Sequence, residues 1–201
     1  EATSTLGQPF LLKELNPIWA AIFPEHNNLR NPKYLAWLKQ TSAQCPLLYF
    51  QHAEDHGWAY VLFSDGIVKA SVSVSYELEF NMALDLAEMR FPEYEGNIVE
   101  MLVIQQPDVF GKLMDEVKNS AAFRAALENQ YKNKNLSAFA TLGVSDEIIA
   151  ELNTVVSVEW YEKLHEPVTQ FKRLLGFPEV DWISYHYLSS DTDIGFDEED
   201  E

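Results

Sequence analysis

Between Val68 and Phe80 every second residue is apolar: Val68, Ala70, Val72, Val74, Tyr76, Leu78 and Phe80 alternate with Lys69, Ser71, Ser73, Ser75, Glu77 and Glu79. Successive side chains of an extended chain point to opposite faces, so one face of this segment is core and the other is wet. Thirteen residues is long against the usual strand of about five or six, which predicts a bend, a bulge or a change of partner along it. Upstream, residues 47–51 and 58–63 are short apolar runs, separated by 52–57 and followed by Ser64-Asp65-Gly66. Runs of this length punctuated by turn residues read as an antiparallel meander around 47–80.

Around the meander the periodicity is helical. Asn16-Pro17 and Asn31-Pro32 each pair a capping side chain with a proline suited to the first helical position. They predict one short helix through Phe23 and another carrying Tyr34, Leu35 and Leu38. Residues 81–90 fit both periods and are read as helix. Residues 98–104 are apolar except for Glu100, which predicts a central strand covered on both faces. Pro107-Asp108, Ser120 and Ser145 open three further helices, the last ending near Leu152. From Ser157 the stripe Tyr161, Leu164, Val168, Phe171 and Leu175 predicts a long helix, kinked at Pro167 and stopped by Gly176. Residues 182–188 read as a last strand. The expectation is an α+β fold: a mainly antiparallel sheet (the meander plus strands near 97–105 and 182–188) packed with N-terminal and C-terminal helices. It forms one domain over 1–189, followed by an acidic tail over 190–201.

Composition narrows the functional classes. The chain is 47% hydrophobic, which supplies a core, and its formal net charge of −18 repels the phosphates of nucleic acid and anionic lipid. None of its 8 glycines falls in a phosphate-cradling motif, and no apolar run reaches the ~18–20 residues of a membrane span. A single cysteine, Cys45, closes no intramolecular disulfide, which suits a reducing, cytoplasmic setting. No cofactor is expected.

The densest group of ligand-type side chains is His52, Glu54, Asp55 and His56, near Cys45 in sequence. Two imidazoles beside carboxylates are what a zinc or similar site requires, so a metal-dependent hydrolase centred on these residues is one reading. The spacing matches neither H-E-x-x-H nor H-x-x-E-H, and the flanks read as strands, so a solvated hairpin loop weighs more. Glu162 and His165 have the E-x-x-H spacing of di-iron bundles but lack a second copy, and His186 fits a structural histidine. Ser71, Ser73 and Ser75 could line a binding surface, though small polar residues on the wet side of a strand need no function. Asp191, Asp193 and Asp197 stand in a calcium-loop-like run, but Gly195 occupies the wrong position.

The leading expectation is a non-catalytic, acidic protein-binding domain, an inhibitor, an immunity-like protein or an adaptor, recognising a basic partner. Residues 70–111 contain eight acids and one base, Arg90, while 112–134 contain five bases and three acids. This predicts an acidic surface over the sheet and tail, carried by Glu77, Glu79, Glu93, Glu95, Asp191, Asp193 and Asp197. A third reading is a small-molecule-binding domain walled by Trp58, Tyr60, Trp182 and Tyr185.

Overall fold

A computed structural model describes residues 7–53, 55–177 and 189. The meander is its centre. Strands β3 (Leu47–Ala53), β4 (Gly57–Ser64) and β5 (Ile67–Ser75) form an antiparallel sheet in sequence order, and β1 (Phe10–Glu14) and β2 (Ala20–Pro24) form a separate two-stranded ribbon. Asp65 and Gly66, with φ of 55° and 77°, make the tight β4–β5 turn that a right-twisted hairpin favours. The register shifts between Leu62, opposite Ala70, and Phe63, opposite Val68, so Lys69 is the extra residue of a bulge.

Strand β5 stops at Ser75, short of the alternation that continues to Phe80. There the Ser75 hydroxyl accepts the Glu77 N–H at 3.3 Å, and helix α2 (Leu78–Arg90) begins. Further helices are α1 (Pro32–Ser42), α3 (Ile98–Glu100), α4 (Pro107–Lys118), α5 (Ala121–Gln130), α6 (Asp146–Val155) and α7 (His165–Leu175). The helices packed with two antiparallel sheets make an α+β fold. Asn31, Ser120 and Ser145 accept backbone N–H bonds at the starts of α1, α5 and α6, as their positions in the sequence predict.

Three expectations are corrected. Asn16-Pro17 opens no helix: Asn16 Oδ1 accepts the N–H groups of Ile18 and Trp19 at 2.9 Å and makes the β1–β2 turn. Asn16 Nδ2 and Trp19 Nε1 then donate to the carbonyls of Gly176 and Leu175, tying the ribbon to the end of α7. Residues 98–105 are not a strand. Asn97 Oδ1 caps the N–H groups of Val99 and Glu100, α3 passes into a π-helical turn (Met101–Gln105), and Gln106 N–H closes it on Met101 O at 2.8 Å. Only Met101 and Leu102 are buried, so the run is covered on one side. The long C-terminal helix is divided instead of kinked: a 3-10 turn (Val158–Lys163) ends at Leu164, whose φ is +49°, and Pro167 lies in the first turn of α7, where proline is tolerated. The strand expected at 182–188 and the tail at 190–201 lie outside the described residues.

The two faces of the sheet differ. Trp58, Tyr60 and Leu62 of β4 share the inner face with their register partners His52, Phe50 and Leu48 on β3 and Val74, Val72 and Ala70 on β5. Against them pack Leu113, Phe123, Phe139, Leu152, Val168 and Phe171 from the helical half. On the outer face α1 covers one end only, with Tyr34, Trp37 and Leu38 against Phe63. Among the described residues nothing covers the rest of that face.

Candidate functional site

The histidine segment is the β3–β4 hairpin, and it divides its own ligand types. His52 lies on the inner face at the end of β3, its ring 6.3 Å from that of His165, which meets Tyr76 edge-on at 5.1 Å. His56 is in the exposed turn, where its Nδ1 stands 3.0 Å from Glu77 Oε2. Asp55 is exposed beside it, and Glu54 lies outside the described residues. Cys45 precedes β3, roughly 23 Å of extended chain from His52. Among the described residues no three His, Cys, Asp or Glu side chains stand close enough to hold a metal ion. Two buried donors nearby, Trp58 Nε1 and the Tyr76 hydroxyl, have no hydrogen-bond partner among the described residues. Burial pushes the Tyr76 hydroxyl up to about 12, which keeps it neutral across the physiological range. Glu162 pairs with Lys118 at 2.9 Å, which holds its carboxyl below the usual range.

The anticipated acidic residues separate into two groups. Glu77 and Glu79 flank the start of α2 and are half-buried. Glu93 and Glu95 follow its other end, and thirteen helical residues put about 20 Å between the two pairs. Asp191, Asp193 and Asp197 lie outside the described residues. The outward face of the sheet carries serines, not acids.

Two surface features stand out in this geometry. The first lies where α2 ends and α3 follows. Met89, Tyr94, Val99, Val103 and Ile104 are all exposed, Met89 at 72% and Ile104 at 73%, although methionine, valine and isoleucine ordinarily seek the core. Val99 and Val103 share one side of the α3 turn and its π-helical extension, with Glu100 and Ile104 beside them, while Met101 and Leu102 face inward. A single widened π turn shifts the side chains that follow it, and such turns recur at functional positions. Exposed Glu88, Glu93, Glu95 and Glu100 surround this apolar run in sequence. Arg90, the one base of the stretch 70–111, has its guanidinium bound to both carboxylate oxygens of Glu116 and adds no free positive charge. Its hydrophobic pattern, present in the sequence, invites a strand reading, and only its one-sided burial exposes the alternative.

The second feature is a groove of about 660 Å³ on the open part of the outer sheet face. Its floor is Ala59, Val61, Ser71 and Ser73, and its rims come from the loop before α1 and from the end of α5. The alternation along β5 flags the two serines; the rims come from residues distant in sequence.

Compared with models of known protein families, with curated protein sequences and with solved structures, the chain has no significant match.

Proposed function

We propose that this protein is a non-catalytic binding domain that recognises a basic, amphipathic protein segment through the surface formed by the end of α2, the following loop and α3. The observation that supports the reading most is the exposed apolar set Met89, Val99, Val103 and Ile104 in a stretch of chain that also carries the exposed acids Glu88, Glu93, Glu95 and Glu100. Protein interfaces of this kind combine an apolar centre, which supplies affinity on desolvation, with a charged rim, which guides approach and rejects like-charged partners. The net charge of −18 extends the attraction beyond the contact itself. Rim carboxylates favour a partner carrying lysine or arginine, and the exposed valines and isoleucine favour one that also offers an apolar stripe.

The test uses a synthetic helix-forming peptide with leucines on one side and lysines on the other, and an all-lysine peptide of equal charge. Calorimetry with the full chain should give saturable binding of the amphipathic peptide, weakening strongly between ~0.05 and ~0.5 M salt as screening grows. Replacing both Val103→Ser and Ile104→Ser should weaken it about tenfold, the loss expected of central apolar contacts. Equal binding of both peptides, unaffected by the double substitution, would reduce the effect to unspecific charge attraction and end the proposal.

A further inference from the structure

We propose that the groove on the outer face of the β3–β4–β5 sheet binds a short, neutral oligosaccharide, at a site separate from the acidic and apolar surface around α3. Its volume of about 660 Å³ lies within the ~300–1,000 Å³ typical of small-molecule sites, but its chemistry is unusually polar. Asn28, Gln51, Ser73, Gln130 and Asn133 line it. Each of these side chains carries both a donor and an acceptor, which is the complement of a sugar hydroxyl, itself both donor and acceptor. Ala59 and Val61 supply an apolar strip on the floor for the C–H face of a pyranose ring, and half-buried Tyr49 adds an aromatic wall.

Charge selects against ionic ligands. Among the described residues no carboxylate lines the groove, in a chain with 32 acids, so a cation would find no counter-charge there. Among the described residues the only charged one in the lining is Arg30. A single exposed guanidinium is weak attraction for an anion against the field of a molecule with net charge −18. A neutral polar ligand meets neither difficulty.

On its β5 side the backbone leaves little room for a peptide strand as occupant. Peptide addition to a sheet needs a free edge, and the β5 edge bordering the groove is largely occupied. Ser71 N–H donates to Asn133 O at 2.8 Å and Ser75 N–H to Gln130 Oε1 at 3.1 Å. Lys69 O accepts from Asn135 Nδ2 at 2.8 Å, and Ser75 O from the Tyr161 hydroxyl at 3.2 Å. These bonds also fix the backbone of the Asn129–Asn133 rim and the Gln130 side chain against the strand before a ligand arrives, which lowers the ordering cost of binding.

The experiment titrates the isotope-labelled full chain with maltotriose, cellotriose and triacetylchitotriose, each to about 10 mM, and follows backbone amide shifts by NMR. At least one sugar should give saturable shifts centred on Ala59, Val61, Ser71 and Ser73. Gln51→Ala, which removes hydrogen bonds from an exposed side chain, should weaken that binding about three- to tenfold, and Ser73→Leu should weaken it independently. A lysine-leucine peptide should leave these amides unmoved and should not displace the sugar, which separates this site from the one around α3. The proposal is overturned if none of the three sugars saturates, if the shifts lie elsewhere, if both variants bind as well as the parent chain, or if the peptide competes.

Discussion

Replacing Phe171 by alanine should be among the most damaging single changes in the molecule. Its ring is fully buried and lies between the sheet and the helical half. It stacks on Tyr60 at 5.2 Å and on Phe50 at 5.8 Å, both at 12°, and meets Phe139 edge-on at 5.9 Å. Trp58 lies 5.2 Å away. Truncation removes the transfer free energy of the ring and leaves a cavity walled by other rings, which cannot collapse without disturbing their mutual packing. Buried Phe→Ala changes cost about 3–5 kcal/mol, and the number of aromatic partners keeps this one from the low end of that range, at about 4 kcal/mol. In a two-state description that is close to a thousandfold shift in the unfolding equilibrium, and for a chain of this size a fall in Tm of roughly 8–16 °C. Urea melts followed by tryptophan fluorescence and far-UV circular dichroism measure it. Phe171→Leu, which retains most of the volume, should cost less than about 1.5 kcal/mol, and Met89→Ala, at an exposed site, under about 0.5 kcal/mol. A loss below about 1.5 kcal/mol for Phe171→Ala would refute the view that this ring joins the two halves of the core.

Two further outcomes follow from local geometry. Gly57 has φ of +136°, and a Cβ there would collide with the Val74 carbonyl across the β4–β5 pair. Gly57→Ala should therefore cost about 3 kcal/mol or more in a thermal melt, and a cost under about 1 kcal/mol would mean the turn relaxes freely. Lys118 lowers the Glu162 carboxyl and is itself raised by it. The contribution of the carboxylate is thus present above its ordinary pKa and fades as pH falls through the lowered one, while that of the ammonium fades as pH rises through the raised one. Lys118→Met should move the NMR titration midpoint of Glu162 upward, and since both side chains are exposed, global stability should barely change.

The sequence alone determined whatever depends on a few neighbouring residues. The alternation in β5, the Asp65-Gly66 turn and the caps at Asn31, Ser120 and Ser145 all concern backbone bonds or faces set within one or two turns of chain. The polar serines of β5 were visible in the same way, though not the walls that make a groove around them. Tertiary structure decided the rest. Asn16 offers an oxygen that can cap a helix or close a hairpin, and the deciding contacts are to Gly176 and Leu175, some 160 residues away. The run 98–104 has no period that separates a buried strand from a half-covered helix, because the difference lies in which neighbours cover it. Asn97 and the core contacts of Met101 and Leu102 select the helical answer, and the pre-proline position of Gln106 ends it, leaving Val103 and Ile104 in water. Both candidate surfaces arise in this way: a local pattern fixes which residues are polar or apolar, but only packing among distant segments fixes which of them remain uncovered together.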